Sequence, residues 1–166
     1  MNSKDFKIIT DYNHIDIFFA QENKKKNIVC GDLILENRSI NSTIVMLVDG
    51  IGSGYKANLS AHLTGSRFLE LIKNGLSVRQ ATASIAASMH EARTKDIPFA
   101  AFSILYVLNN SSFTVLTYEM PPPIVIEKKS TYFLSGRNFT LNKEIFTEYN
   151  GKLNDFTSVA LVSDGI

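Results

Sequence analysis

Three aspartates in similar settings are the residues of this sequence best placed to do chemistry. Asp49 follows the apolar run 43–48, Asp164 follows the apolar run 159–162, and each is directly followed by a glycine. Asp32 lies 17 residues before Asp49. Hard divalent cations prefer carboxylate and carbonyl oxygens as ligands. If the segments around Asp32 and Asp49 pair as a hairpin, the two carboxylates lie near one end of a sheet. The pattern indicates a divalent-metal site.

The glycine-rich stretch 49–54 has two other interpretations. Gly50 and Gly52 match the first half of the dinucleotide-binding pattern, but its third glycine would fall at Tyr55. A helix pair follows instead of a second parallel strand, which disfavours a dinucleotide site. The phosphate-binding Gly-Lys-Ser/Thr sequence is also lacking here. A plain strand-to-helix turn with a solvated aspartate remains the structural alternative to metal binding.

The elements that must position these residues follow from the hydrophobic period. Within residues 56–94 apolar side chains recur at helical spacing, and this predicts two consecutive helices. Asn74 and Gly75 predict the end of the first helix, because both tolerate the left-handed cap conformation. Ser77 and Gln80 match a capping box, which predicts the start of the second helix.

Short apolar and β-branched segments on either side of the helices predict strands. They are residues 6–9, 14–20, 27–35, 43–48, 99–108, 113–119, 124–127, 131–134, 144–149 and 157–163. Because strands come before and after the helix pair without alternating with it, the fold class is α+β with a mainly antiparallel sheet.

Composition excludes several function classes. The formal net charge is +1, from 17 basic and 16 acidic residues, so a nucleic-acid clamp or a polybasic membrane anchor is not supported. The single cysteine, Cys30, permits no intrachain disulfide. No signal peptide and no membrane span is recognisable in the sequence. We expect a cytoplasmic protein with no nucleic-acid partner and no membrane span.

Taken in order along the chain, these motifs resemble those of the metal-dependent (PPM, type 2C) serine/threonine protein phosphatases, in particular the bacterial SpoIIE-like and RsbX-like branch. The resemblance rests on Gly31-Asp32, on the Asp-Gly-x-Gly-x-Gly stretch beginning at Asp49, on the helix pair, and on Asp164-Gly165 after an apolar strand. It covers the chain from about residue 25 to the end, and the glycine-rich stretch is its most specific part.

The resemblance implies an antiparallel β-sandwich flanked by helices, with residues 1–166 as a single phosphatase domain. It implies two ions, Mn²⁺ or Mg²⁺, with Asp49 bridging both. Asp32 and the Gly50 carbonyl would bind one ion, and Asp164 the other. A metal-activated water would then hydrolyse phosphoserine or phosphothreonine on a regulatory phosphoprotein, such as a STAS-domain anti-anti-sigma factor.

One departure from the family pattern concerns the metal site. The family has a further aspartate on the same ion as Asp164, and this sequence ends at Ile166. We therefore expect a domain truncated at its C-terminus, which binds Mn²⁺ or Mg²⁺ weakly and hydrolyses phosphate esters poorly or not at all. The alternative is a degenerate phosphatase fold that binds a partner protein without catalysis.

Overall fold

Two antiparallel sheets and two helices are stacked in three layers in the computed structural model, which describes residues 14–21, 29–95, 97 and 99–164. The predicted strand 6–9 lies outside the described residues. The helices are α1 (Tyr55–Lys73) and α2 (Val78–Thr94). The strands are β1 (Asp32–Arg38), β2 (Ser42–Gly50), β3 (Ala100–Leu108), β4 (Ser112–Tyr118), β5 (Ile124–Glu127), β6 (Ser130–Phe133), β7 (Arg137–Leu141), β8 (Glu144–Lys152) and β9 (Ser158–Ala160).

The predicted α+β class is confirmed, and the strands form a sandwich of two unequal sheets. The larger sheet has the order β1-β2-β3-β4-β8-β7, and the smaller has the order β6-β5-β9. Every strand pair is antiparallel. The helix pair lies between β2 and β3 in the chain, yet these two strands are direct neighbours in the sheet.

Each face of the six-stranded sheet covers its own hydrophobic core. On one face Met46, Val48 and Phe102 pack against helix residues such as Phe68 and Ile85. On the other face the strands pack against the smaller sheet, in a cluster that includes Leu105, Val115, Val125 and Val159. Because successive side chains of a strand point to opposite faces, β2 contributes to both cores, as its almost unbroken apolar run predicts.

Both helix boundaries agree with the capping signals. The Ser77 hydroxyl accepts from the Gln80 backbone N–H, and the Gln80 side chain accepts from the Ser77 backbone N–H, so the predicted capping box is present. α1 ends at Lys73, Asn74 is its C-cap residue, and Gly75 adopts a φ of 86°. No helix in the described ranges combines the length and the apolar character needed to cross a membrane.

The strand prediction is wrong at three places. Residues 14–20 do not form a strand. A side chain of β1 contacts this segment instead, since Arg38 Nη1 donates to the Ile15 carbonyl at 3.0 Å. The predicted strand 157–163 is reduced to β9, which among the described residues pairs with the short β5 alone. β7 was not predicted, because its turn to β8 consists of Asn142 and Lys143, both with positive φ, instead of a glycine-containing pair.

The capping box gives a test of the helix layer. Replacing Ser77 by Ala leaves the Gln80 N–H without its acceptor. We expect the free energy of unfolding to fall by about 1 kcal/mol. Ser77→Thr retains the hydroxyl and should keep most of that stability. Urea denaturation of the three proteins measures the difference. Equal stability of the alanine and wild-type proteins would show that the cap does not contribute.

Candidate metal centre

The register of the β1–β2 hairpin places two of the three aspartates side by side. Asp32 is the direct partner of Asp49 in the antiparallel pair, so the predicted hairpin pairing is confirmed. Both side chains lie on the face of the sheet toward the smaller sheet, since Val48 next to Asp49 points to the helices. Like charges directly opposite each other destabilise a strand pair. Because the pairing costs stability, it indicates that both carboxylates are needed for function.

The third aspartate reaches the same place from the smaller sheet. The chain beyond β9 returns toward the start of β1, where the Ser163 hydroxyl donates to Asp32 Oδ2 at 2.9 Å. Ser163 is buried and Asp164 is exposed. The candidate site therefore lies between the two sheets, at one end of the sandwich.

Electrostatics show that the three carboxylates act on one another. The pKa of Asp49 is raised from its ordinary value of 3.8 to about 7. Burial is the largest cause, followed by the negative charges of Asp32 and Asp164 and by hydrogen bonding to both carboxyl groups. No positive charge among the described residues offsets these effects on Asp49, and a divalent cation would supply one.

The donor set fits a hard divalent cation. Carboxylates supplied by three separate chain segments are the ligands that Mg²⁺ and Mn²⁺ prefer. Within the described part of the chain, no three His, Cys, Asp or Glu side chains form a ready-made cage around a common centre. The support for a cation here is the direct pairing of Asp32 with Asp49 and the negative charge of Asp164 that acts on the same carboxylate.

The loop after Asp49 is shaped by its glycines. A side chain at Gly50 would collide with the backbone of Ala57 in the first turn of α1, so only glycine fits there. Gly52 and Gly54 have φ of 110° and 67°, a region that other residues rarely adopt. The loop turns the chain from β2 into α1 while Gly50 stays buried next to Asp49.

The first turn of α1 also fixes the start of β1. Asn58 Nδ2 donates to the Cys30 carbonyl at 2.8 Å, and the Gly50 N–H donates to the Gly31 carbonyl at 3.2 Å. Sequence reasoning missed Asn58 and Ser163. Asn58 gives no local signal, because its partner lies 28 residues away. Ser163 does give a local signal, because it is a hydroxyl residue at the end of an apolar run and directly precedes an acid.

The sequence matches a family model. The model for Stage II sporulation protein E (SpoIIE) matches residues 40–166, which include Asp49, Gly50 and Asp164 but not Asp32. No protein of curated function is similar enough in sequence to match this chain.

Solved structures of similar fold agree with the family match. RsbX in complex with magnesium superposes with a TM-score of 0.68 at 19% identity, over 88% of this chain and 72% of that chain. The PP2C phosphatase domain of SpoIIE from Bacillus subtilis, with a fragment of its regulatory domain, has a TM-score of 0.71 at 17% identity, over 84% of this chain and 41% of that chain.

A third similar structure holds the RsbU and RsbW domains of a Mycobacterium tuberculosis protein. Its TM-score is 0.66 at 17% identity, over 81% of this chain and 39% of that chain. At these identities the likeness shows the fold, whereas the family model covers more than half of the sequence. The architecture is that of PP2C-type phosphatase domains, and the chain belongs to the SpoIIE family.

Proposed function

We propose that this chain is a divalent-metal-dependent phosphatase domain that hydrolyses phosphoserine or phosphothreonine on a regulatory phosphoprotein. The observation that carries the proposal is the direct cross-strand pairing of Asp32 with Asp49, to which Ser163 joins the segment that carries Asp164, in a fold shared with PP2C-type phosphatase domains. The magnesium in the RsbX structure supports the choice of cation.

Each residue of the site would have a distinct task. Asp49 would bind both ions, Asp32 and the Gly50 carbonyl would hold one of them, and Asp164 would hold the other. When bound, such ions lower the pKa of a water molecule and neutralise charge on phosphoryl oxygens. The protein's part is to fix three carboxylates near one another, to keep the glycine loop in place, and to leave Asp164 accessible from solvent.

The partner is proposed by analogy with the solved relatives. One of them contains RsbU and RsbW domains, and another structure of similar fold concerns the bacterial stressosome, a modular system that controls secondary messenger signalling. Such assemblies are made of regulatory proteins, so a phosphorylated regulator, for example a STAS-domain anti-anti-sigma factor, is the substrate class that fits this family.

Metal affinity and turnover test the proposal directly. We expect calorimetry to show Mn²⁺ binding by the wild-type chain, weak because the carboxylates form no ready-made cage. In Asp49→Asn the amide no longer neutralises either ion, so binding should be lost and hydrolysis of a phosphoserine peptide should fall at least about a thousandfold.

Asp155→Asn is the matched control, because Asp155 is an exposed turn residue outside the cluster. It should retain affinity and rate. Absence of Mn²⁺ binding by the wild-type chain at millimolar concentration would contradict the metal site. Binding of a phosphoprotein without any turnover would instead favour a domain that recognises its partner without catalysis.

The raised pKa of Asp49 makes a second prediction, for the metal-free protein. Between pH 4 and 7 the unfolded chain loses a proton that folded Asp49 retains, so stability falls as pH rises through this range. The amide introduced by Asp49→Asn does not titrate and carries no charge. The metal-free variant should therefore melt several degrees higher than wild type at pH 7.5 and at nearly the same temperature at pH 4.

Calorimetric or fluorescence melting at both pH values measures this effect, with Asp155→Asn as the control. Adding Mn²⁺ should raise the melting temperature of the wild type and leave that of Asp49→Asn unchanged, because only a protein that binds the ion is stabilised by it. An Asp49→Asn protein that melts lower than wild type at pH 7.5 would contradict the carboxylate repulsion.

A further inference from the structure

We propose that Ser163 is a positioning residue that holds the Asp32 carboxylate in the orientation required for cation binding. This inference rests on the proposed metal-dependent function. Its basis is one hydrogen bond between the two sheets, in which Ser163 Oγ donates to Asp32 Oδ2 at 2.9 Å. The two residues are 131 positions apart in the chain, so the bond joins the segment after β9 to the first residue of β1.

Asp32 needs such a partner because of its neighbour. Its carboxylate lies directly opposite that of Asp49, and repulsion between two ionised carboxylates at this position has to be offset by other contacts. An ionised carboxylate only accepts hydrogen bonds, and a hydroxyl that donates to one oxygen fixes the plane of the group. With Oδ2 bound to Ser163, the orientation of Oδ1 is set and that oxygen is left for a cation.

The surroundings of Ser163 make the bond effective. Ser163 is only 9% exposed, so few water molecules compete with its hydroxyl for Asp32 Oδ2. The Gln21 side chain holds the Asp32 backbone carbonyl at 2.8 Å, which fixes the main chain of the same residue. One contact thus acts on the carboxylate of Asp32 and the other on its main chain. Hydrogen-bond partners of metal ligands typically contribute about 10- to 100-fold in metal affinity.

A second buried serine provides the matched control. Ser103 lies on β3, on the face toward the smaller sheet, with 1% of its surface exposed, and its hydroxyl has no hydrogen-bond partner among the described residues. Replacing either serine by alanine removes one buried hydroxyl, but only Ser163→Ala removes a contact to a carboxylate of the site. A purely structural contribution of the hydroxyl would change stability without changing metal affinity.

The experiment measures Mn²⁺ affinity by calorimetry and the metal-free melting temperature for the full chain and its variants. We expect Ser163→Ala to weaken Mn²⁺ binding about tenfold or more. Ser103→Ala should bind as wild type does. Ser163→Thr, which keeps the donor, should restore most of the affinity, and it provides the comparison if the alanine variant folds poorly.

Three results would overturn the inference while the proposed function stands: wild-type affinity in Ser163→Ala, equal losses in both alanine variants, or no recovery in Ser163→Thr. In each of these cases the metal site itself remains supported if the wild-type chain binds Mn²⁺ and Asp49→Asn does not. A wild-type chain without Mn²⁺ binding would overturn both the proposed function and this inference.

Discussion

Repulsion between carboxylates at one end of the sandwich is the constraint on which the arrangement of this domain depends. Asp32 and Asp49 are direct cross-strand partners, and the chain after β9 brings Asp164 to the same place. Strand pairing alone does not favour such neighbours. The apolar residues of β1 and β2 pin the register, because a shift of one residue would turn Val48 out of the helix-side core and Asp49 into it. The stability of the core thus holds the charges together.

The helix layer fixes the site from the opposite face of the sheet. Ala57 packs so closely against Gly50 and Gly31 that a side chain at Gly50 would collide with its backbone. Asn58 holds the Cys30 carbonyl in the same turn. One turn of α1 therefore determines the backbone on both sides of the hairpin end, immediately beside Asp32 and Asp49. Small residues are needed here because the helix lies directly against the strands.

Local patterns predicted the elements better than they predicted the contacts between distant residues. The capping box at Ser77 and the buried strand β2 have strong local signals, and both are confirmed. β7 has a weak local signal, because its hairpin turn consists of Asn142 and Lys143 and contains no glycine. The order of the aspartates along the chain indicated a shared site, but the link from Ser163 to Asp32 depends on how the two sheets pack. No pattern within a few residues encodes that packing.

The buried carboxylate of Glu144 shows what is particular about the half-buried Asp49. Burial opposes ionisation of Glu144, but hydrogen bonds with Tyr118 and His90 and the charge of Arg93 lower its pKa. Tyr118 donates to Glu144 at 2.8 Å, and His90 lies at the same distance from its other oxygen. The protein thus supplies its own partners for Glu144. The neighbours that act on the pKa of Asp49 are two further acids. Among the described residues, the fold therefore neutralises one buried carboxylate and gives Asp49 only acidic neighbours, and a divalent cation is the counter-charge that we propose for it.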